Sequence, residues 1–213
     1  MHVVITGANR GIGQEMASQL VAAGHEVTGT ARDSSCDVAL DVTDPAQQGQ
    51  FASALGQRPI DLLVCNAGVY LDKGMSMENY TTDIWSQSMA ANVTGVFLTV
   101  QALLPNLRLG TNPKIAIISS QMASHVRAPG GSYAYRASKA AALNLGRNLS
   151  TDLKPEGIAV GIYHPGWVRT EMGGAEGDIS VEASARGLLQ EFDVLTLETT
   201  GCFHTWDGQI HAY

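Results

Sequence analysis

Thr6-Gly7-Ala8-Asn9-Arg10-Gly11-Ile12-Gly13 follows the β-branched run Val3-Val4-Ile5 and passes directly into a helical pattern. A glycine-rich turn between a first strand and a first helix aims backbone N–H groups and the positive helix end at one point, which suits a pair of phosphates. Gly7 permits the tight turn, Gly11 keeps Cβ atoms away from a ligand, and Gly13 lets helix and strand pack closely. The spacing, Thr-Gly-x-x-x-Gly-x-Gly, differs from the commoner G-x-G-x-x-G, and a ligand-free strand–helix turn is the competing reading. The rest of the chain decides between them.

Outward from it, strand-like and helix-like segments alternate. Apolar, β-branched stretches occur at 2–6, 26–31, 60–65, 114–119 and 157–163, with helical patterns at 11–23, 44–55, 81–107 and 135–153. A last helix near 181–192 precedes the strand-like Cys202-Phe203-His204-Thr205-Trp206. Such alternation predicts an α/β fold, a doubly wound parallel sheet covered on both faces. No linker or repeat divides the chain, so residues 1–213 are read as one domain. One crossover is short: Ala31-Arg32 ends the second strand and Val38-Ala39-Leu40 already reads as the third. Asp33 to Asp37 spans at most ~18 Å, too little for a helix, so a trimmed, helix-free sheet edge is expected there.

Composition narrows the function. The net charge of -7 comes without any basic cluster, which argues against a nucleic-acid partner. Cys36, Cys65 and Cys202 form no C-x-x-C pair and suit reduced thiols in a cytoplasmic protein. The six histidines show no ligand spacing, so no metal site is expected. No apolar run is read as approaching the ~20 residues of a membrane span.

After the second strand, an NAD site usually carries an acid for the ribose 2′-hydroxyl, whereas a 2′-phosphate prefers arginine. Here Arg32 stands at that point, with Arg10 in the glycine turn, so NADP is favoured over NAD. Asp33 either repels the phosphate or pairs with an arginine. Asp41-Val42 closes the third strand, where Asp41 is a candidate acceptor for the adenine amino group; a helix N-cap role fits Asp44, before Pro45, at least as well. Asn66-Ala67-Gly68 comes after the fourth strand, its small residues allowing close approach to a cofactor and Asn66 bracing the central strands.

The chemistry is read from Tyr135 and Lys139, i and i+4 on one helix face. A lysine charge at ~4 Å is worth up to ~3 pKa units, enough to expect a phenol that exchanges protons near neutrality. Ile115-Ala116-Ile117-Ile118-Ser119-Ser120 is a strand ending in two serines; Ser120, with Ser119 as runner-up, is the candidate donor to a substrate carbonyl. Asn92, an unusual residue inside a long helix, is expected to bend that helix or hold a water that relays protons to Lys139. Thr170, after the sharp turn at Pro165-Gly166, is a candidate partner for a nicotinamide carboxamide, while His164 is read as packing locally. Glu171 to Ser180 reads as a short, polar, mobile lid with few apolar anchors.

Taken in order, Thr6–Gly13, Asn66-Ala67-Gly68, Asn92, Ser120, Tyr135, Lys139 and Pro165–Thr170 resemble the short-chain dehydrogenase/reductase family over essentially the whole chain. Tyr133-Ala134-Tyr135-Arg136-Ala137-Ser138-Lys139 and His164-Pro165-Gly166-Trp167-Val168-Arg169-Thr170 are similar to its branch of C-factor and sniffer-type carbonyl reductases. The resemblance implies a Rossmann-type sheet in strand order 3-2-1-4-5-6-7, an Asn-Ser-Tyr-Lys catalytic set, and hydride transfer between NADP(H) and a small carbonyl or alcohol. It implies that Gly7, Asn9, Arg10, Gly11, Ile12, Gly13, Arg32, Asp41, Val42, Asn66, Ala67, Gly68, Tyr135, Lys139, Pro165, Gly166, Val168 and Thr170 hold the cofactor, and that the protein is a homodimer or homotetramer. It also leaves open a C-factor-like signalling or redox-sensing role with little turnover. Cys65 departs from the family, which more often has asparagine there.

Overall fold

The computed structural model describes residues 1–33 and 35–213. The elements run β1 (His2–Thr6), α1 (Gly11–Ala22), β2 (Glu26–Ala31), β3 (Val38–Ala39), α2 (Pro45–Leu55), β4 (Leu62–Cys65), α3 (Thr82–Met89), α4 (Gly95–Leu107), β5 (Lys114–Ile118), α5 (Tyr133–Leu153), β6 (Ala159–His164), α6 (Val181–Val194) and β7 (Phe203–Thr205). Among the described residues the strands form one parallel sheet in the order β3-β2-β1-β4-β5-β6-β7.

The period-two alternation of a strand explains how both faces are covered. Val3 and Ile5 pack with Met16, Leu20, Leu188 and Phe192 of α1 and α6. Val4, between them, packs with Phe51, Val100 and Leu103 of α2 and α4. Every residue of β1, β4 and β6 is buried, which is why these segments read as continuous apolar runs. Local chemistry sets the helix starts. Asp44 accepts from the N–H groups of Ala46 (2.8 Å) and Gln47 (3.3 Å) ahead of Pro45 at the first position of α2. Ser180 caps α6 through Ala183 N–H at 3.2 Å.

The shortened edge is present: β3 is two residues long, pairs with β2, and no described residue between them is helical; Ser34 lies outside the described residues. The single helix expected over 81–107 is instead interrupted by a π-helical turn, Ala90–Thr94, centred on buried Asn92. Inserted residues of this kind let a helix redirect one side chain. The stretch Thr82–Leu107 is also long and apolar enough, by length and composition alone, to cross a bilayer. That corrects the reading that no such run exists; its apolar residues Val96, Val100, Leu103 and Leu107 lie in the core against the sheet.

Candidate active site

Strand order reverses between β1 and β4, and the crevice at their carboxyl ends is the ligand position of an open α/β sheet. The glycine turn is fixed there by two side chains. Thr6 Oγ1 accepts from the N–H groups of Asn66 and Ala67, each at 3.1 Å, and Asn66 Nδ2 donates to Thr6 O (3.0 Å) and Gly7 O (2.9 Å). Asn66 thus braces the turn from β4. Gly7 (φ +67°) and Gly11 (φ +54°) occupy left-handed conformations that favour glycine. A Cβ on Gly13 would lie 2.2 Å from Gly7 O. Asn9 is half-buried at the top of the turn and Ile12 reaches the cavity described below. α1 begins without a side-chain cap or an acid in its first turn, leaving its N–H groups free for an anion.

At the β2–β3 edge of the sheet, Arg32 is exposed. Arg10 does not converge on it; its guanidinium is paired with Glu171. Asp33 pairs with no arginine among the described residues, its Oδ1 accepting from the Ser35 N–H and hydroxyl, which hold its carboxyl below the usual range. Asp41 Oδ1 accepts from Thr43 N–H (2.9 Å) and hydroxyl (2.7 Å), and the N-cap is Asp44. Val42 turns its side chain into the core, where Gly95 makes room for it. Cys65 likewise packs in the core, and burial pushes its thiol up to about 12.

A cavity of about 570 Å³ joins the two halves of the site. Ile12 lines it from the glycine turn, Ser120 from just past the end of β5, Tyr135 from α5, and Pro165, Gly166, Val168 and Thr170 from the segment after β6. Thr170 stands over Gly11, whose Cβ would come within 3.5 Å of its methyl group. The two serines separate cleanly: Ser119 donates to Lys139 O (3.0 Å), whereas Ser120 faces the Tyr135 phenol. Lys139 and Asn92 lie behind Tyr135, both at most 5% exposed. Lys139 Nζ donates to Ile118 O at 2.9 Å, its one acceptor among the described residues, and so keeps two N–H donors. Asn92 Oδ1 accepts from Val69 N–H (2.8 Å), while Nδ2 donates to Val69 O (2.9 Å) and the Ser138 hydroxyl (2.9 Å). Both amide protons of Asn92 are therefore engaged in tying a loop to α5, and the side chain bends its helix rather than facing solvent.

Electrostatics here differ from the expectation. Burial pushes the Tyr135 phenol up to about 12; Ser120 pulls it down, while Tyr70 and Asp72 push it further up. The Lys139 ammonium is 5.8 Å from the ring centroid, and burial lowers it to about 8. Desolvation of both groups outweighs their attraction, so protein atoms alone do not produce an acidic phenol.

His164 lines the same cavity and packs locally. Its Nδ1 accepts from Gly166 N–H at 3.3 Å, and burial lowers the ring to about 4. An ordinary histidine titrates near 6.5, so the unfolded chain binds this proton first and stability falls as pH drops from 6.5 towards 4. The loss is expected to reach about 2 kcal/mol by pH 5. Urea unfolding at pH 7 and pH 5 measures it; an equal pH dependence in His164→Gln would assign the loss to other groups.

Polar contacts hold the segment 171–180 in place of apolar ones. Lys73 Nζ donates to Met172 O and Gly173 O, each at 3.1 Å, Trp167 Nε1 donates to Gly173 O (3.0 Å), and Arg169 donates to Gly177 O (2.8 Å). Two residues in contact with Tyr135 carry no signal in the sequence. Tyr70 stacks on its ring and Asp72 bonds its backbone. Both sit in irregular chain after β4, where no periodicity marks them.

Comparison with known proteins agrees with this architecture. The family described as short chain dehydrogenase matches residues 1–178. The C-signal protein of Myxococcus xanthus is 38% identical over 160 residues, covering 74% of this chain and 95% of that one. The NADPH-bound carbonyl reductase from chicken fatty liver superposes with a TM-score of 0.91 at 30% identity, covering 100% of this chain and 98% of that one. A short chain dehydrogenase from Burkholderia cenocepacia, in complex with NADP, gives 0.81 at 28% identity, over 97% of this chain and 96% of that one.

Proposed function

The chain belongs to the short-chain dehydrogenase family and is an oxidoreductase, and we propose that it reduces a carbonyl compound, or oxidises the matching secondary alcohol, with NADP(H). The observation that carries this reading is the single cavity shared by the glycine turn, Ser120 and Tyr135. The residues suit the dinucleotide: an uncapped α1, left-handed glycines at Gly7 and Gly11 in the turn before it, and a buried Lys139 with donors to spare. When bound, NADPH supplies the hydride.

In this reading Ser120 donates a hydrogen bond to the substrate oxygen and stabilises the charge that develops on it. Tyr135, whose burial keeps it protonated, transfers its phenolic proton to that oxygen, and the alcohol results. Lys139 binds the nucleotide through its free donors and, with its lowered affinity for protons, returns one to Tyr135. Asn92 holds the 66–70 loop against α5 so that Lys139 and Tyr135 keep their places. Gly7, Gly11 and Gly13 admit the pyrophosphate, and Thr170 faces the nicotinamide end. α4 and α5 would form the subunit contacts of a cytoplasmic homodimer or homotetramer, measurable by light scattering.

The test is consumption of NADPH, followed by its absorbance, across a panel of aldehydes and ketones, with the alcohol product identified. Tight NADPH binding without turnover on any carbonyl would replace the reductase by the redox-sensor reading. Arg32 is assigned to the 2′-phosphate. A charge-assisted hydrogen bond is worth about 1.5–3 kcal/mol, so Arg32→Glu is expected to lower kcat/KM for NADPH about 10- to 100-fold while sparing NADH. An unchanged NADPH/NADH ratio would remove Arg32 from the cofactor site.

A further inference from the structure

The loop after β4 grips Tyr135 at two separate points. The ring of Tyr70 lies on that of Tyr135 with centroids 4.0 Å apart and planes 17° from parallel. Its hydroxyl is 2.6 Å from the Ser132 hydroxyl, just before α5. Two residues on, Asp72 is fully buried. Its Oδ2 accepts from Ala134 N–H (2.8 Å), Tyr135 N–H (3.3 Å) and the Tyr80 hydroxyl (3.0 Å). Its Oδ1 has no partner among the described residues.

A buried carboxylate with one bare oxygen is costly, and its location shows what offsets the cost. It faces the first turn of the 21-residue helix α5, where unsatisfied N–H groups and the positive helix end favour an anion. The helix's own N-cap residue cannot serve: Ser132 is left-handed (φ 49°) and makes no side-chain cap. The cap therefore comes from a loop some sixty positions upstream, and capping joins that loop to the helix that carries Tyr135 and Lys139. Asn92 holds the same loop through both backbone groups of Val69, next to Tyr70. Tyr70 is also a wall of the substrate cavity, so its ring faces whatever binds above Tyr135.

We propose that Tyr70 and Asp72 are positioning residues for the reaction: Tyr70 holds the Tyr135 ring in one orientation and keeps water from its face, while Asp72 fixes the start of the helix that presents it. The proposal rests on Tyr135 being the proton donor. It explains why a chain with no local cap begins its catalytic helix two residues ahead of Tyr135, and why an aromatic ring stands at position 70 in an otherwise irregular loop.

The test uses the NADPH-bound enzyme and four variants. Tyr70→Phe keeps the flat ring; Tyr70→Met fills the volume without one; Asp72→Asn keeps an acceptor without the charge. Tyr135→Phe is the control. Small misplacements of reacting groups cost up to about 100-fold, so kcat in Tyr70→Met is expected to fall about 10- to 100-fold with KM little changed, and Tyr70→Phe is expected to restore it. The titratable groups around Tyr135 are Tyr70 stacked on its ring, Asp72 at its backbone N–H, Lys139 from its own helix and His164 on the wall of the same cavity. Tyr70 and Asp72 both push the phenol up through their charge, so removing the Tyr70 hydroxyl or the Asp72 carboxylate is expected to move the alkaline limb of the kcat profile to lower pH, a change that a loss of folded protein would not produce. Should Tyr70→Met fail to fold, Asp72→Asn carries the same readout. Wild-type kcat and pH profile in Tyr70→Met and Asp72→Asn, with Tyr135→Phe inactive, would overturn the proposal alone. Turnover in Tyr135→Phe would overturn the mechanism beneath it.

Discussion

Tyr135→Phe is expected to bind NADPH as the wild type does and to lose about 10²- to 10⁴-fold in turnover, the range for removing a general acid. The substitution is narrow. Phenylalanine keeps the ring that stacks on Tyr70 at 4.0 Å, and the backbone bond to Asp72 does not depend on the side chain. Lys139 retains its bond to Ile118 O. What disappears is one hydroxyl, 8% exposed with its residue, at the floor of the cavity it shares with Ser120. Structure and nucleotide affinity should therefore survive, and thermal unfolding with and without NADPH checks both. Steady-state rates with any carbonyl that the wild type reduces then isolate the chemical step. Retained turnover would mean that the proton comes from elsewhere, with Ser120 or a water the next candidates, and the assignment of Ser120, Tyr135 and Lys139 as one catalytic set would fall.

The sequence marked what depends on local pattern and missed what depends on distant contact. β1, β4, β5 and β6 were readable because both of their faces are covered, which forces unbroken apolar runs. β3 was readable from the run Val38-Ala39-Leu40, and its helix-free crossover from chain length, since the residues before it are too few for a helix. The turn at Gly7–Gly13 was legible because backbone conformation and close packing leave glycine no substitute there. By contrast, the π turn at Ala90–Thr94 exists because Asn92 reaches Val69, a tertiary contact invisible in a helical pattern. α5 begins at Tyr133 rather than Tyr135 because its cap, Asp72, is supplied from another part of the chain. The spacing of Tyr135 and Lys139 placed them on one face, yet it carried no information about burial, and burial is what sends the phenol up and the lysine down. Arg10 and Arg32 illustrate the same limit: their charges were legible, while the Glu171 side chain that engages Arg10 lies far away in sequence.

The second large effect is expected from a single methyl group. In Gly13→Ala the added carbon would sit 2.2 Å from Gly7 O and 2.4 Å from Asn66 Nδ2, far inside van der Waals contact. Neither neighbour is free to withdraw. Gly7 O is the acceptor that Asn66 uses at 2.9 Å, and Asn66 also holds Thr6 O, so moving either one opens the turn. Alanine improves helix propensity by about 1 kcal/mol, but overpacking costs about 1–3 kcal/mol and each buried partner left unsatisfied about 1–3 kcal/mol more. Destabilisation of about 1–5 kcal/mol should result, with NADPH affinity falling by a factor of about 100 or more if the displaced N–H groups are those that hold the phosphates, as proposed. Gly49→Ala provides the contrast. Gly49 lies inside α2 with nothing within 4 Å of its virtual Cβ, so the same change there should stabilise by up to about 1 kcal/mol and leave NADPH binding untouched. Urea midpoints and fluorescence titration of NADPH on both variants decide the matter: opposite signs place the phosphates at the β1–α1 turn, whereas wild-type NADPH affinity in Gly13→Ala would move the nucleotide away from it.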